Sequence, residues 1–406
     1  MSFFSKLNPF KTKAAEIIDS QDLAELITGL GLSDAGIEIT DKNALQLSTV
    51  YSCIRVLAES VGMLPLNLLL VTGDKKERAK NHAVQKLFVK GPNEYMTPLE
   101  YKELIITQLG LRGNHYSYIN WVGNKPMELL PLNPANVDPK LKDDWSVEYK
   151  VTFPNGTWDY IAAENILHVR LQTLDGLTGL SPIMQGRHAI GLAKVTERHG
   201  AKVFANGAHP SGGFTTDSAL TDEQFSRLKL SLEDYKGENV HKNLILEGGL
   251  KWFQTSMTSE DAQYLDTRKF QRSEIAGLFR VPPHMIGDLE KATFSNIENQ
   301  GLSFVQSALM PYLRRIEERM LKSLIKNTDK EYQVKFNANA LMRGDSKGRS
   351  EYYTKMIQNG AMSPNEIRAL EDMNPRVDGD IYLTPLNMAV NGKPIESSEE
   401  KPNGNE

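Results

Sequence analysis

The stretch from 259 to 326 constrains this chain more than any other. Ser259 opens SEDAQYLDTRKFQRSEIAGLFR, which reads as one long helix of mostly polar surface. Val281-Pro282-Pro283 ends it, because proline has no amide to donate and pushes the preceding residue out of the α region. The loop PPHMIGDLEKAT follows. A second helix is expected from about Phe294 to Lys326. Its residues Phe294, Ile297, Val305, Ala308, Leu309, Tyr312, Leu313, Ile316 and Met320 recur at three- and four-residue steps, the spacing of one buried face. Pro311 lies inside that pattern and predicts a kink about one turn upstream. A helix polar nearly all round cannot sit in a core. The first helix is therefore either an exposed arm or a helix standing in a ring of its own copies, with one side on a wet channel.

The totals narrow the class. A chain of 406 residues has room for two or three ordinary domains. Its 47 lysines and arginines against 51 acidic residues argue against an avid, general nucleic-acid binder, which would be basic. The only cysteine, Cys53, lies in the helix-like run YSCIRVLAES. It is expected to be buried and inert, and one cysteine makes no disulfide, as suits a reducing compartment. MSFFSKLNPFKTK lacks the apolar segment and cleavage site of a secretory signal, and LPLNLLLV is too short to span a bilayer. The expectation is a soluble intracellular protein.

Taken in order, residues 1–47 form a mixed arm with little pattern, either mobile or bound to a partner. Ser48 is a candidate cap for a helix whose apolar side carries Val50, Ile54, Leu57 and Val61. LPLNLLLV (64–71) reads as a strand with a turn at Gly73-Asp74. Thr97-Pro98 starts a capped helix that runs to Gly110 or Gly113. From His115 to Leu171 the pattern turns to strands: HYSYINWV, PMELLPL, VEYKVTF and TWDYI, separated by turn residues. Residues 48–171 thus read as one α+β domain. Ser181-Pro182 starts a helix expected to end near Asn206-Gly207, with a seam of Gly186, Ala189, Ala193, Gly200 and Ala201 that suits close helix approach. SGGFTT, a helix at Thr221–Tyr235 and NLILEGGLKWFQT then make a compact βαβ-like insert between the helices beginning at 182 and 259. EYQVKFN reads as a strand, and helices cover Asp345–Asn359 and Pro364–Met373, the latter capped by Ser363. The polar tail from about Ala389 is expected to be disordered.

No catalytic or metal-binding constellation has the spacing it needs. The glycines of GLGLSDAG miss the dinucleotide pattern. RGDSKGRS is one residue short of a phosphate loop and has Arg349 where lysine belongs. His188 and His199 would share a helix face about 16 Å apart, too far to hold one ion. Ser211 lacks the strand–turn–helix setting of a hydrolase nucleophile. The sequence therefore names no catalytic residue, cofactor or metal.

The segment DAQYLDTRKFQRSEIAGLFRVPPHMIGDLEKATFSNIENQ resembles the central motif of tailed-bacteriophage portal proteins, the head–tail connectors through which double-stranded DNA enters and leaves a capsid. GNHYSYI, LLPLNPANV, GLSPI, FANGAHPSGGF, NLILEGGLKW and LMRGDSKGRSEYYTKMIQNGAMSPNEIRAL extend the likeness over roughly 48–388. The resemblance implies a portal-type α+β fold. Residues 48–181 would form a β-rich wing, joined by a long kinked helix and strand at 294–337. Residues 182–206 and 259–280 would form a two-helix stem, with a small α/β clip at 207–258. A tunnel loop would lie at 281–293, a helical crown at 338–388 and a disordered tail at 389–406.

That likeness also implies a function. Copies related by rotation would close into a ring, a dodecamer in the family, at one capsid vertex. The ring would pass DNA during packaging and ejection by weak phosphate contacts without base reading, which a chain of modest net acidity permits. The implied partners are the terminase large subunit, the major capsid protein and a head–tail adaptor, and no membrane. The implied location is the virion, with host cytoplasm during assembly. His284, Asp288, Glu290 and Lys291 would belong to the channel-facing loop. Arg268, Lys269 and Arg272 would serve the stem's lumen or its subunit contacts, and Trp252 and Phe253 either the clip's docking surface or the core behind its strand. Two rival readings remain at this point, an intracellular enzyme with a dispersed interdomain site and a membrane-surface scaffold using the long amphipathic helix.

Overall fold

The computed structural model describes residues 33–205, 212–215, 221–234, 251–254, 259–289, 300–326, 328–338, 346–371, 373–383, 389–390 and 393–394. The chain divides into two compact units, one of Met1–Met63 with Asn67–Lys335 and one of Leu64–Leu66 with Phe336–Glu406.

The first unit begins with a short helix α1 (Asp41–Leu45), closed at its start by a capping box between Thr40 and Asn43. Helix α2 (Ser48–Gly62) buries Val50, Cys53, Ile54, Leu57 and Val61 on one face. Its N-cap is Leu47 rather than the expected Ser48, which is already the first helical residue and makes no capping bond. Burial pushes the Cys53 thiol up to about 12, the state of an inert thiol. Strands β1 (Leu66–Thr72) and β2 (Lys75–Arg78) pair antiparallel across the Gly73-Asp74 turn. Helix α3 (Ala83–Lys90) precedes α4 (Pro98–Arg112). Thr97 and Glu100 cap α4 reciprocally, and Gly113 ends it in the left-handed conformation. Helices α2 and α4 approach closely at Gly110, where a Cβ would lie 3.2 Å from Ile54.

Two three-stranded antiparallel sheets follow. Strands β3 (Asn114–Val122), β4 (Lys125–Leu132) and β8 (Ile166–Arg170) form one in the order β4-β3-β8. Strands β5 (Val137–Leu141), β6 (Val147–Thr152) and β7 (Trp158–Ala162) form the other. Tyr116, Val137, Tyr149, Val151 and Ile166 make the core between them. Pro139 is tolerated in β5 because that strand is an edge.

Two neutral histidines are sealed into this region. His115 Nδ1 lies 2.6 Å from Gln108 Oε1 and its Nε2 3.0 Å from Ser117 Oγ. His168 Nε2 lies 3.0 Å from Asn114 Oδ1 and its Nδ1 3.1 Å from the Tyr149 hydroxyl. The amide oxygens must accept, so the network assigns the proton to Nδ1 of His115 and to Nε2 of His168.

The helix expected over 182–206 is interrupted. Helix α5 (Pro182–Gln185), capped by Ser181, stops at Gly186, and α6 (Arg187–Ala205) begins after it. Strands β9 (Gly212–Thr215) and β10 (Lys251–Gln254) flank helix α7 (Asp222–Asp234) in sequence. The strands pair antiparallel, so this insert is not a parallel βαβ crossover. Helix α8 (Ser259–Leu278) is the polar helix.

The second long helix is described from Gln300. It runs as a π turn over Phe304–Leu309 and then as α9 (Met310–Leu324), which packs on β8. Buried Glu317 on α9 holds Lys335 at 3.3 Å and Arg314 at 3.4 Å. Strand β11 (Glu331–Phe336) joins β1 in the order β11-β1-β2. In the second unit lie α10 (Ser346–Gln358) and α11 (Pro364–Leu370), the latter closed by the expected Ser363 cap. The Asn365 amide group pins the following loop, accepting from the Arg376 amide at 2.8 Å and donating to the Arg376 carbonyl at 3.0 Å. Residues 290–299, which hold the first expected positions of the long helix, and most of the tail lie outside the described residues.

Candidate functional site

The polar helix is fixed from one side. Tyr264, Arg268, Gln271, Ile275 and Leu278 follow three- and four-residue steps and, with Ala276, are the described positions of α8 that lose solvent; Gln271, Ile275 and Ala276 are buried. They meet α6 and α2. The Tyr264 hydroxyl donates to the Thr196 carbonyl at 3.2 Å, and Gln271 Nε2 donates to Thr196 Oγ1 at 3.1 Å. Small residues permit the approach. A Cβ on Gly200 would lie 1.9 Å from the Tyr264 hydroxyl, and one on Gly186 would lie 2.3 Å from Leu278 Cδ2.

The other described positions of α8 are exposed, including Phe270, 69% exposed, and Leu265, 48% exposed. Arg268 turns toward α6, 3.7 Å from Glu197 and within hydrogen-bond reach of the Tyr264 hydroxyl. Lys269 and Arg272 are on the exposed side. The structure thus separates three cations that the sequence groups together.

The other flank of α6 is covered from 33 onward, where the arm had no predicted contact. The Asp34 amide donates to His188 Nδ1 at 3.1 Å. Lys194 Nζ reaches the Asn43 carbonyl at 2.9 Å and Gln46 Oε1 at 3.1 Å. A Cβ on Gly191 would lie 2.3 Å from Ser33 Oγ. The signal for this packing was Gly191 itself, a helix-interior glycine with no local reason.

Beyond α8 the chain enters a 3₁₀ turn at Pro283–Ile286, which Gly287 closes with φ 83. His284 is half-buried, with Nδ1 2.7 Å from Gln300 Oε1. The Asp288 amide donates to the Pro283 carbonyl at 3.0 Å. Glu290 and Lys291 lie outside the described residues. Burial raises the Tyr312 phenol above its ordinary value, against the opposing field of Arg280 and Arg315. Backbone register sets Trp252 opposite Phe214 and Phe253 opposite Gly213.

A polar cavity of about 490 Å³ is lined by Glu38, Asp41, Arg112, Tyr116 and Ser181 among others. Arg112 Nε donates to Asp41 at 2.6 Å, and Ser181 Oγ caps α5, so neither its cation nor its hydroxyl is poised for chemistry. Among the described residues no group of His, Cys, Asp and Glu side chains can hold a metal, and no helix is long and apolar enough to cross a membrane.

Residues 48–372 match the family described as phage portal protein. The chain belongs to that family. Consistent with this, it is 34% identical to the portal protein of Enterobacteria phage HK97, over 85% of this chain and 83% of that one. It is 31% identical to the probable portal protein of Streptomyces phage phiC31, over 88% of this chain and 82% of that one. The fold of this portal subunit is also that of a chain in the neck of an empty gene transfer agent (GTA) particle computed with C6 symmetry. There the TM-score is 0.58 at 23% identity, covering 87% of this chain and 94% of the other. A chain in the neck of the native GTA particle computed with C12 symmetry gives 0.56 at 22% identity, over 88% and 95%. The matched span runs from α2 through the polar helix α8 and the proline turn after it to the end of α11.

Proposed function

We propose that the chain is one wedge of a rotationally symmetric portal ring at a capsid vertex, and that the ring conducts double-stranded DNA during packaging and ejection. The observation that carries this reading is α8: a helix held along one face only, with Phe270 and Leu265 among its solvent-facing residues. In a closed ring the free circumference is divided between neighbouring copies and the channel, which gives both the exposed apolar residues and the exposed Lys269 and Arg272 a place. Repetition around the axis turns one charge per subunit into a ring of charge. Contacts of that kind meet phosphates without reading bases, as sliding requires.

On this reading α6 and α8 are the stem, and the insert between them is the clip on which a terminase and then a head–tail adaptor dock. Residues 281–293 line the narrow part of the channel. The wing faces the major capsid protein, and the particle vertex is the site of residence. Catalysis is assigned to the partner motor and none to this chain.

Cryo-electron microscopy of purified full-length protein, with and without capsid partners, tests the proposal. The expected result is a closed annulus wide enough for a duplex, with Asp288 and Lys291 bordering its axis. A small oligomer with no axial opening overturns the ring. An annulus whose axis is bordered by other elements overturns the loop assignment.

A further inference from the structure

The end of α8 breaks a rule of helix termination. Helices that finish in the left-handed conformation place glycine there far more often than any other residue. Here Arg280 takes that position, with φ 56. Its amide donates to the Gly277 carbonyl at 3.0 Å, and the Val281 amide donates to that of Ala276 at 2.9 Å. These are the paired bonds of a Schellman cap, with buried Val281 and Ala276 supplying its apolar contact. Glycine would satisfy the turn without the strain a side chain suffers at this φ. What arginine adds is its guanidinium.

That group reaches the second long helix, where Nη1 donates to the Ser307 carbonyl at 3.3 Å. Ser307 stands four residues before Pro311, so its carbonyl is the one whose α-helical donor the proline deletes. It also lies within the π turn Phe304–Leu309, where the Met310 amide donates to Val305, five residues back. A second tether crosses the same gap on the other side of the π turn, between His284 and Gln300. Between the tethers sits Gly301, where a Cβ would meet nothing within 4 Å. Packing does not require glycine there, and glycine weakens a helix relative to alanine.

We propose that Arg280 is a positioning residue: it supplies the donor that Pro311 removes and so holds Phe304–Leu309 in π register. A π turn accommodates one residue more than an α turn does. Redistributing that residue rotates everything upstream by about 100° and shifts it about 1.5 Å along the axis. Gln300 then leaves His284. The guanidinium therefore fixes the azimuth that the turn at Gln300 and Gly301 presents to the 3₁₀ turn Pro283–Ile286, and the left-handed strain at 280 is retained because a long cationic donor spans the gap.

Amide hydrogen exchange on the full-length protein tests this in a cycle with Pro311→Ala, which returns a backbone N–H to the Ser307 carbonyl. Arg280→Ala is expected to speed exchange of the 304–310 amides about ten-fold, the scale of a hydrogen bond from a charged donor. In the Pro311→Ala background the same change should alter exchange less than about two-fold. Arg280→Gly relieves the φ strain, so it should protect 276–281 while exposing 304–310, a divergence that a merely structural role would not produce. It also supplies the readout if Arg280→Ala does not fold. Equal effects of the arginine substitutions with and without Pro311 overturn the proposal, as does unchanged exchange over 304–310. Exchange is read on the subunit itself, so this result is independent of ring formation.

Discussion

Acid should unfold the paired three-stranded sheets through two particular side chains. His115 and His168 are 0% and 3% exposed. Burial drives the His115 imidazole down to about 3. Burial, reinforced by Arg170, Arg319 and His115, drives His168 down to about 2. In the unfolded chain both titrate near the ordinary value of about 6.5. The unfolded state therefore binds protons that the folded state refuses, and stability is lost as pH falls below about 6.5 toward the folded values. The slope approaches about 1.4 kcal/mol per pH unit per histidine, so moving from pH 7.5 to 5 removes about 2 kcal/mol for each and about 4 for the pair. Urea titrations at a series of pH values measure this directly. His115→Gln and His168→Gln should each lower stability at pH 7.5 by breaking a buried hydrogen-bond pair, yet each should make the slope between pH 6.5 and 5 shallower by that histidine's share. A wild-type free energy flat over that interval, or variants that keep the full slope, would refute the reasoning.

Two further outcomes concern glycines. Gly113 ends α4 with φ 71, and a Cβ there would lie 2.1 Å from the Leu180 carbonyl oxygen. Gly113→Ala should therefore cost about 3 kcal/mol or more in a urea titration, and a loss under about 1 would show that the Gly113–Leu180 approach is not fixed. Gly200→Ala should lower the melting temperature although alanine favours a helix by about 1 kcal/mol, because its Cβ displaces the Tyr264 hydroxyl from Thr196. Adding Tyr264→Phe, which deletes the clashing oxygen, should recover part of the loss, and a raised melting temperature for Gly200→Ala alone would contradict the packing of α6 on α8.

Much of this fold could be read from local chemistry. The caps at Thr97 and Ser363 are legible because a hydroxyl, a following proline and a glutamate at the third helical position satisfy the same orphan amides wherever they occur. Pro311 announced a break upstream, and the break is a π turn. Other elements were hidden. β5 contains Pro139, which argues against a strand until its edge position is known. Ile166–Arg170 is a short run that only its pairing with β3 makes a strand. Ser48 looked like a cap because the sequence does not reveal that Leu47 already has the extended conformation.

At the candidate site the limit is different in kind. Arg280 reads as one more helical cation after Arg268, Lys269 and Arg272, since nothing local marks a left-handed arginine. Its significance depends on Pro311, far along the chain, and on the carbonyl that the proline leaves open. The cation beside it in sequence pattern, Arg268, turns instead to Glu197 on the partner helix. Pattern can therefore say that a polar helix carries charge, but only packing separates the charge that braces α8 against α6 from the charge that remains on its surface. Arg280, Arg268, Lys269 and Arg272 do not converge on one site, so each role must be argued from the place its own side chain takes.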